Sequence, residues 1–306
     1  MTVLWNEGMI SESDGKKAKR PVSLDRSQMA PAEQSAARNF VDISDVTLSY
    51  GGEGGGVLAV EDLTMSVREG EFAAVVGPSG CGKSTLMKLT TGLVVPQKGR
   101  ITVDGNRVKG PLDIVGMAFQ NPSLLPWRRT LQNIMLPLEI VSPHAERLRK
   151  NKAEYVARAE AMLELVGLGG FGPRYPWQLS GGMQQRANLC RALIHEPGLL
   201  MLDEPFGALD AFTREELWGV IRDLHQKKKF TVVLVTHDLR EAVYLADRVF
   251  VMSARPGKVV LERKIDFERP RPIDLTYTGE FNDVVHELRE KIAEARADTP
   301  QIGTKS

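Results

Sequence analysis

The sequence predicts an α/β fold, a mainly parallel sheet with helices around it and a helical insertion. Three observations predict it. Short, wholly apolar segments of strand length recur at residues 72–76, 199–202 and 232–235, the pattern of strands buried on both faces. A helical stretch at 214–227 separates the last two, and such a crossover sets its strands parallel in one sheet, with ligands at their carboxyl ends. From about 131 to 194 the apolar spacing becomes mostly helical, including 153–166.

In chain order, residues 1 to about 38 mix Ser, Lys, Ala and Pro without periodicity, which predicts a disordered or loosely packed extension. Apolar and polar residues then alternate over 41–50 and again over 63–67, after a glycine-rich turn at 51–56, which predicts strands with one buried face. Further strands are expected at 101–103, 114–119, 248–252 and 258–262. Finally Phe281, Val284, Val285, Leu288, Ile292 and Ala295 share one face of a stretch at 280–296, an amphipathic helix. It is expected to pack on its own domain or against the same helix of a partner.

Composition narrows the partners. With 40 basic and 39 acidic residues the net charge is +1, so no global field recruits nucleic acid. The apolar runs have strand length, and none approaches the roughly 20 residues that span a bilayer. Residues 1–19 carry Glu7, Glu12, Asp14, Lys16 and Lys17 and lack the apolar core of a signal peptide. Cys81 and Cys190 are the only cysteines, giving neither a disulfide framework nor a metal spacing. A cytoplasmic location is expected.

The strongest local signal follows the strand at 72–76. Gly77-Pro78-Ser79-Gly80-Cys81-Gly82-Lys83-Ser84-Thr85 runs from that strand into a helix expected at 86–90, the order of a P-loop. Glycines let the backbone curl until its N–H groups face phosphate oxygens, and the helix start adds partial positive charge. Lys83 supplies an ammonium for the terminal phosphates of ATP and Ser84 a hydroxyl for Mg²⁺. The Cys81 thiol is assigned no chemistry.

A second signal ends the strand at 199–202, where Asp203 and Glu204 precede Pro205. Adjacent carboxylates closing an apolar strand are costly unless a cation is needed there. Asp203 is expected to hold Mg²⁺, directly or through water, leaving Glu204 to orient or deprotonate the attacking water.

The third signal is Leu179-Ser180-Gly181-Gly182-Met183-Gln184-Gln185-Arg186, ahead of an apolar helix at 187–194. Ser180 stands where an N-cap belongs. Ser180, Gly181 and Gly182 with the helix start form either a plain cap or a second phosphate-binding surface. One nucleotide does not need two such surfaces from one chain, so the second is expected to serve a nucleotide held by a partner's P-loop.

This stretch resembles the signature of ATP-binding cassette (ABC) ATPases, and the order of motifs from 41 to 265 matches that family. The resemblance implies a P-loop NTPase core over 39–268, with an N-terminal antiparallel β-subdomain and an inserted helical signature subdomain at about 121–195. A tail at 269–306 lies outside it. In such cassettes Tyr50 resembles the aromatic that stacks on adenine, and Gln120 the residue contacting Mg²⁺ and the attacking water. Asp210 is similar to the residue of the loop that crosses to the other subunit, and His237 resembles the switch histidine on the γ-phosphate. A head-to-tail dimer is implied, each ATP held by Lys83 of one subunit and Ser180 of the other. Catalysis is thereby assigned to Glu204, His237, Gln120 and Lys83.

Leu124, Pro126, Trp127 and Arg128, the run Tyr175-Pro176-Trp177, and Met252-Ser253-Ala254-Arg255-Pro256-Gly257 resemble stretches of nitrate, sulfonate and taurine importers. That likeness implies transmembrane permease subunits facing the Trp127 region on the cytoplasmic side of the membrane. A separate periplasmic or extracellular solute-binding protein, with the permease, then selects the solute. The alternative is a soluble ABC ATPase uncoupled from transport, which usually carries paired cassettes, coiled-coil arms or metal-cluster cysteines. A binding module without hydrolysis is disfavoured because Glu204 and His237 are both present.

Overall fold

A computed structural model describes residues 38–51, 56–207 and 209–297. The predicted extension, except Arg38, most of the turn after Gly51 and the chain from 298 lie outside the described residues.

The first two strands, β1 (Asn39–Tyr50) and β2 (Val57–Arg68), pair antiparallel. After β3 (Phe72–Val76) comes α1 (Lys83–Thr90), then β4 (Lys98–Val103), the short β5 (Asn106–Arg107) and β6 (Val115–Ala118). Helices α2 (Thr130–Met135), α3 (His144–Arg147), α4 (Lys152–Leu165) and α5 (Gly181–Leu193) form the insertion. Next come β7 (Leu199–Asp203), α6 (Ala211–Lys228), β8 (Thr231–Val235), α7 (Leu239–Leu245), β9 (Arg248–Met252), β10 (Val259–Lys264) and α8 (Gly279–Ala297).

Among the described residues two sheets result: a four-stranded antiparallel one ordered β2-β1-β4-β5 and a six-stranded one ordered β10-β9-β3-β8-β7-β6. The pairs of β3 with β8 and β9, and of β7 with β6 and β8, are parallel, as predicted, whereas β10 runs antiparallel to β9. Strand direction is not encoded in apolar periodicity, so that reversed edge leaves no mark in the residue pattern.

The central strand divides the interior. Phe72, Ala74 and Val76 enter a core shared with α2, α4, α5 and the tail, while Ala73 and Val75 enter another shared with β1, β2 and β4. Side chains alternate across a strand, so five consecutive apolar residues serve two cores at once.

Inside the insertion, residues between α4 and α5 are turns plus a short 3-10 piece at Pro176–Gln178 rather than continuous helix. Gly167 and Gly170, both at positive φ, interrupt the helical run there. The tail packs on its own domain: Phe281, Leu288 and Ala295 of α8 are buried, and α8 lies against α7 and β9. Arg271, only 1% exposed, donates to Val243 O (3.0 Å), Tyr244 O (2.9 Å) and Ala246 O (2.7 Å) at the end of α7. Orphan carbonyls at a helix end thus find donors, and burial lowers the guanidinium's pKa to about 10.

Candidate functional site

The loop after β3 wraps round its own lysine. Lys83, buried, donates from Nζ to Gly77 O (2.8 Å) and Pro78 O (3.0 Å), with Cys81 Sγ 3.7 Å away. Gly82, the residue before α1, has φ 99, and a Cβ there would come within 2.9 Å of Val60 Cγ1. Both the dihedral and the space therefore require glycine. The Cys81 thiol is buried, and burial raises its pKa, so it is a packing group rather than a nucleophile. Ser84 is exposed and Thr85 buried at the start of α1.

An open cleft of about 580 Å³ lies over this loop, lined by Tyr50, Val57, Ala59, Ser79, Gly80, Gly82, Lys83, Ser84, Thr85, Gln120, Glu204, His237 and Arg255. Tyr50 at the end of β1 is 39% exposed, and Lys88 Nζ lies 6.0 Å from its ring centre.

At the opposite end three polar side chains converge. Glu204, just beyond β7, sits at φ 46, a rare conformation for a side chain of its size. Its Oε2 accepts from Gln120 Nε2 at 2.9 Å and lies 3.2 Å from His237 Nδ1. Backbone pairing holds it there, Glu204 N donating to Val235 O at 2.8 Å.

His237 follows β8, and its neighbours are fixed on both sides. Asp238 N donates to Thr236 Oγ1 (3.0 Å), and Asp238 Oδ1 caps α7 by accepting from Arg240 N (2.8 Å). Thr236 Oγ1 lies 2.6 Å from Glu241 Oε2. Glu241 is buried, and that burial raises its pKa to about 8. Helix α7 went unpredicted because its seven residues are too few for periodicity. Asp238 followed by Glu241 three positions later is the capping pattern that could have revealed it.

The cleft suits a triphosphate with a divalent cation. Backbone and Lys83 form its floor and Glu204 lines it, while Asp203, the last residue of β7, lies just behind Glu204 and does not itself line the cleft. Burial, then repulsion from Glu204, raises the Asp203 pKa against the pull of Lys83 and Lys88, so a cation there would be welcome. Among the described residues no group of three His, Cys, Asp or Glu could hold a metal by itself. Such a cation needs phosphate oxygens as ligands, as Mg²⁺ commonly does.

Ser180, Gly181, Gly182 and Asp210 stand elsewhere and do not line this cleft. Ser180 Oγ caps α5 by accepting from Met183 N (3.3 Å), and Asp210 Oδ1 caps α6 by accepting from Thr213 N (3.0 Å). Hydrogen bonds from Thr213 hold the Asp210 carboxyl below its usual pKa. The two helix starts are neighbours, since a Cβ on Gly182 would lie 3.0 Å from Leu209 Cδ2. Gly181 faces open space.

Polar side chains of α5 connect this outward surface to the cleft. Gln185 Nε2 and Asn188 Nδ2 both donate to Phe119 O (3.1 Å each), and Arg191 Nη2 donates to Pro122 O (2.6 Å). Beyond Gln120, buried Asn133 accepts from Leu125 N (2.7 Å) and donates to the carbonyls of Leu125 (3.1 Å), Arg128 (3.0 Å) and Arg129 (3.2 Å). That knot holds out Trp127, 71% exposed. Sequence reasoning missed the roles of Gln185, Asn188 and Asn133, because buried polar groups break the apolar period that reveals a core; exposed Arg255 was read only within a family stretch, since nothing local in sequence places it at the cleft.

The family model described as "ABC transporter" matches residues 60–207. The aliphatic sulfonates import ATP-binding protein SsuB of Bacillus licheniformis is 43% identical over 212 residues, 69% of this chain and 79% of that protein. The taurine import ATP-binding protein TauB of Escherichia coli K12 is 42% identical over 230 residues, 75% of this chain and 86% of its own length. Among solved structures, the dimeric post-hydrolysis state of the ATP-binding cassette MJ0796, bound to ADP and Pi, matches with a TM-score of 0.65. It is 30% identical and covers 74% of this chain and 100% of its own.

Proposed function

This chain belongs to the ABC transporter family, and from that premise we propose that it is the ATP-hydrolysing subunit of a bacterial importer for aliphatic sulfonates, taurine, nitrate or a related small solute. The observation that carries the proposal is the convergence of Gln120 and His237 on one carboxylate oxygen of Glu204 within the cleft that Lys83 floors.

In this proposal Tyr50 stacks on the adenine. The backbone from Gly77 to Thr85 and the Lys83 ammonium bind the phosphates. Glu204 orients or deprotonates the water that attacks the terminal phosphate, the bond to the leaving diphosphate breaks, and the proton passes to the Glu204 carboxylate. His237 and Gln120 hold the Glu204 carboxylate and the phosphate end of the cleft in register. Mg²⁺ bound with the nucleotide through Ser84, Gln120 and Asp203 would neutralise phosphate charge.

The dimeric cassette among the structural relatives supports a paired assembly, in which Ser180, Gly181, Gly182 and Asp210 of one subunit complete the ATP site of the next. Closure on ATP and reopening after hydrolysis would then move permease subunits docked near Trp127 at the cytoplasmic face of the membrane. An extracytoplasmic binding protein would deliver the solute to that permease.

Glu204→Gln should lower ATP turnover by about 10²–10⁴-fold while leaving ATP affinity intact. Phosphate release and equilibrium nucleotide binding measured on the same preparation check this. Unchanged turnover would remove Glu204 from the mechanism.

A further inference from the structure

The turn between β9 and β10 is fixed against the phosphate loop. Within it Ser253 N donates to Lys258 O (2.8 Å), Lys258 N to Ser253 Oγ (2.9 Å), and Ser253 Oγ to Pro256 O (3.0 Å). It is also stitched to β2: Gly257 N donates to Ala59 O (3.0 Å), and Glu61 N to Gly257 O (3.2 Å). A Cβ on Gly257 would lie 2.0 Å from Cys81 O, and one on Gly77 2.9 Å from Met252 O. The two backbones therefore touch at both ends of the turn, leaving little room for independent movement.

The side chain at the tip of this strap is Arg255. It is exposed, lines the nucleotide cleft, and makes one long bond, Nε to Gly80 O at 3.4 Å. Other arginines of this part of the fold are paired: Arg248 with Glu71, Arg263 with Glu287 and Arg269 with Asp247. No carboxylate among the described residues pairs with Arg255. A planar guanidinium on a rigid mount, beside backbone N–H groups suited to phosphate, has the geometry and charge to grip an anion with two parallel bonds.

We propose that Arg255 is a further nucleotide-binding residue, contacting the phosphate chain of ATP from the Gly80 side while Lys83 holds it from below. This rests on the proposed ATP-binding role of the cleft. It gives a physical task to the Arg-Pro-Gly stretch, which sequence likeness alone left as a family marker.

The test is equilibrium binding of ATP to the full-length chain in excess EDTA, where hydrolysis is off, for wild type, Arg255→Gln and Arg255→Lys. Arg255→Gln should weaken ATP about tenfold and flatten the dependence of log Kd on log salt concentration. Arg255→Lys, which keeps the charge, should recover most of that loss. Arg255→Gln binding as tightly as wild type would overturn the proposal, as would equal weakening by both variants, the mark of a merely structural role. Wild type failing to bind ATP both in EDTA and with Mg²⁺ would instead overturn the proposed function of the cleft.

Discussion

Two helix starts in this molecule, both assigned to phosphate in the proposed function, differ in what they face. The start of α1 is enclosed: Lys83 is buried and bonded to its own loop, and Gly82 is packed against β2. The start of α5 is open: Ser180 caps its own helix, Gly181 meets nothing, and Asp210 caps α6 beside it. In the proposed function the first is the floor for a nucleotide, and the second is a lid for another. On that proposal, floor and lid, which line different spaces, are joined by a second chain.

Between them runs the segment from Phe119 to Arg129, gripped by α5 through Gln185, Asn188 and Arg191 and by α2 through Asn133. If this segment links the lid to the floor, loosening it should separate their behaviour. Asn133→Ala strands a backbone donor and several carbonyls in the interior, with an expected loss of about 2–4 kcal/mol. The urea midpoint should fall accordingly, while the ATP affinity of the folded chain stays unchanged. A smaller effect is expected at the exposed end of the segment. Trp127→Ala should weaken co-purification with permease subunits by about 2 kcal/mol, the scale of an interface hot spot, with basal ATP turnover unaltered. Wild-type recovery of permease would remove Trp127 from that interface.

A different readout, the pH dependence of stability, concerns α7 beside the cleft. Burial raises Glu241 from the ordinary 4.5 to about 8, so the folded chain keeps a proton that the unfolded chain releases between those values. Stability from this group is full below about pH 4.5 and is lost as pH rises toward about 8. Glu241→Gln should flatten that decline, which Tm measured across this window reads directly. An equally steep decline in the variant would place the pH dependence elsewhere.

The floor was legible in the sequence because its parts are contiguous: strand, glycines, lysine and helix follow one another from 72 to 90. Asp203 and Glu204 were legible because carboxylates end an apolar strand. Gln120 and His237 were not legible from residue chemistry, since only the fold brings them to Glu204, and family resemblance supplied them. Helix α5 begins at Gly181 with Ser180 as its N-cap, as the position of Ser180 implied, although its apolar stretch starts only at 187. Its first turns carry Gln184, Gln185 and Arg186, polar residues that serve the neighbouring loops instead of an apolar stripe. Arg271 was invisible for a related reason, because a buried cation satisfied by carbonyls leaves no mark in hydropathy.

The most direct test of a shared nucleotide uses two defective chains together. Lys83→Ala removes the floor's ammonium, and Ser180→Glu sets a negative charge in the lid. Each alone should hydrolyse ATP at background rate. Mixed, they can form a dimer in which the intact floor of the Ser180→Glu chain meets the intact lid of the Lys83→Ala chain, and phosphate release should reappear. Hydrolysis by the Ser180→Glu chain alone at the wild-type rate, or no recovery in a mixture shown to contain mixed dimers, would contradict it.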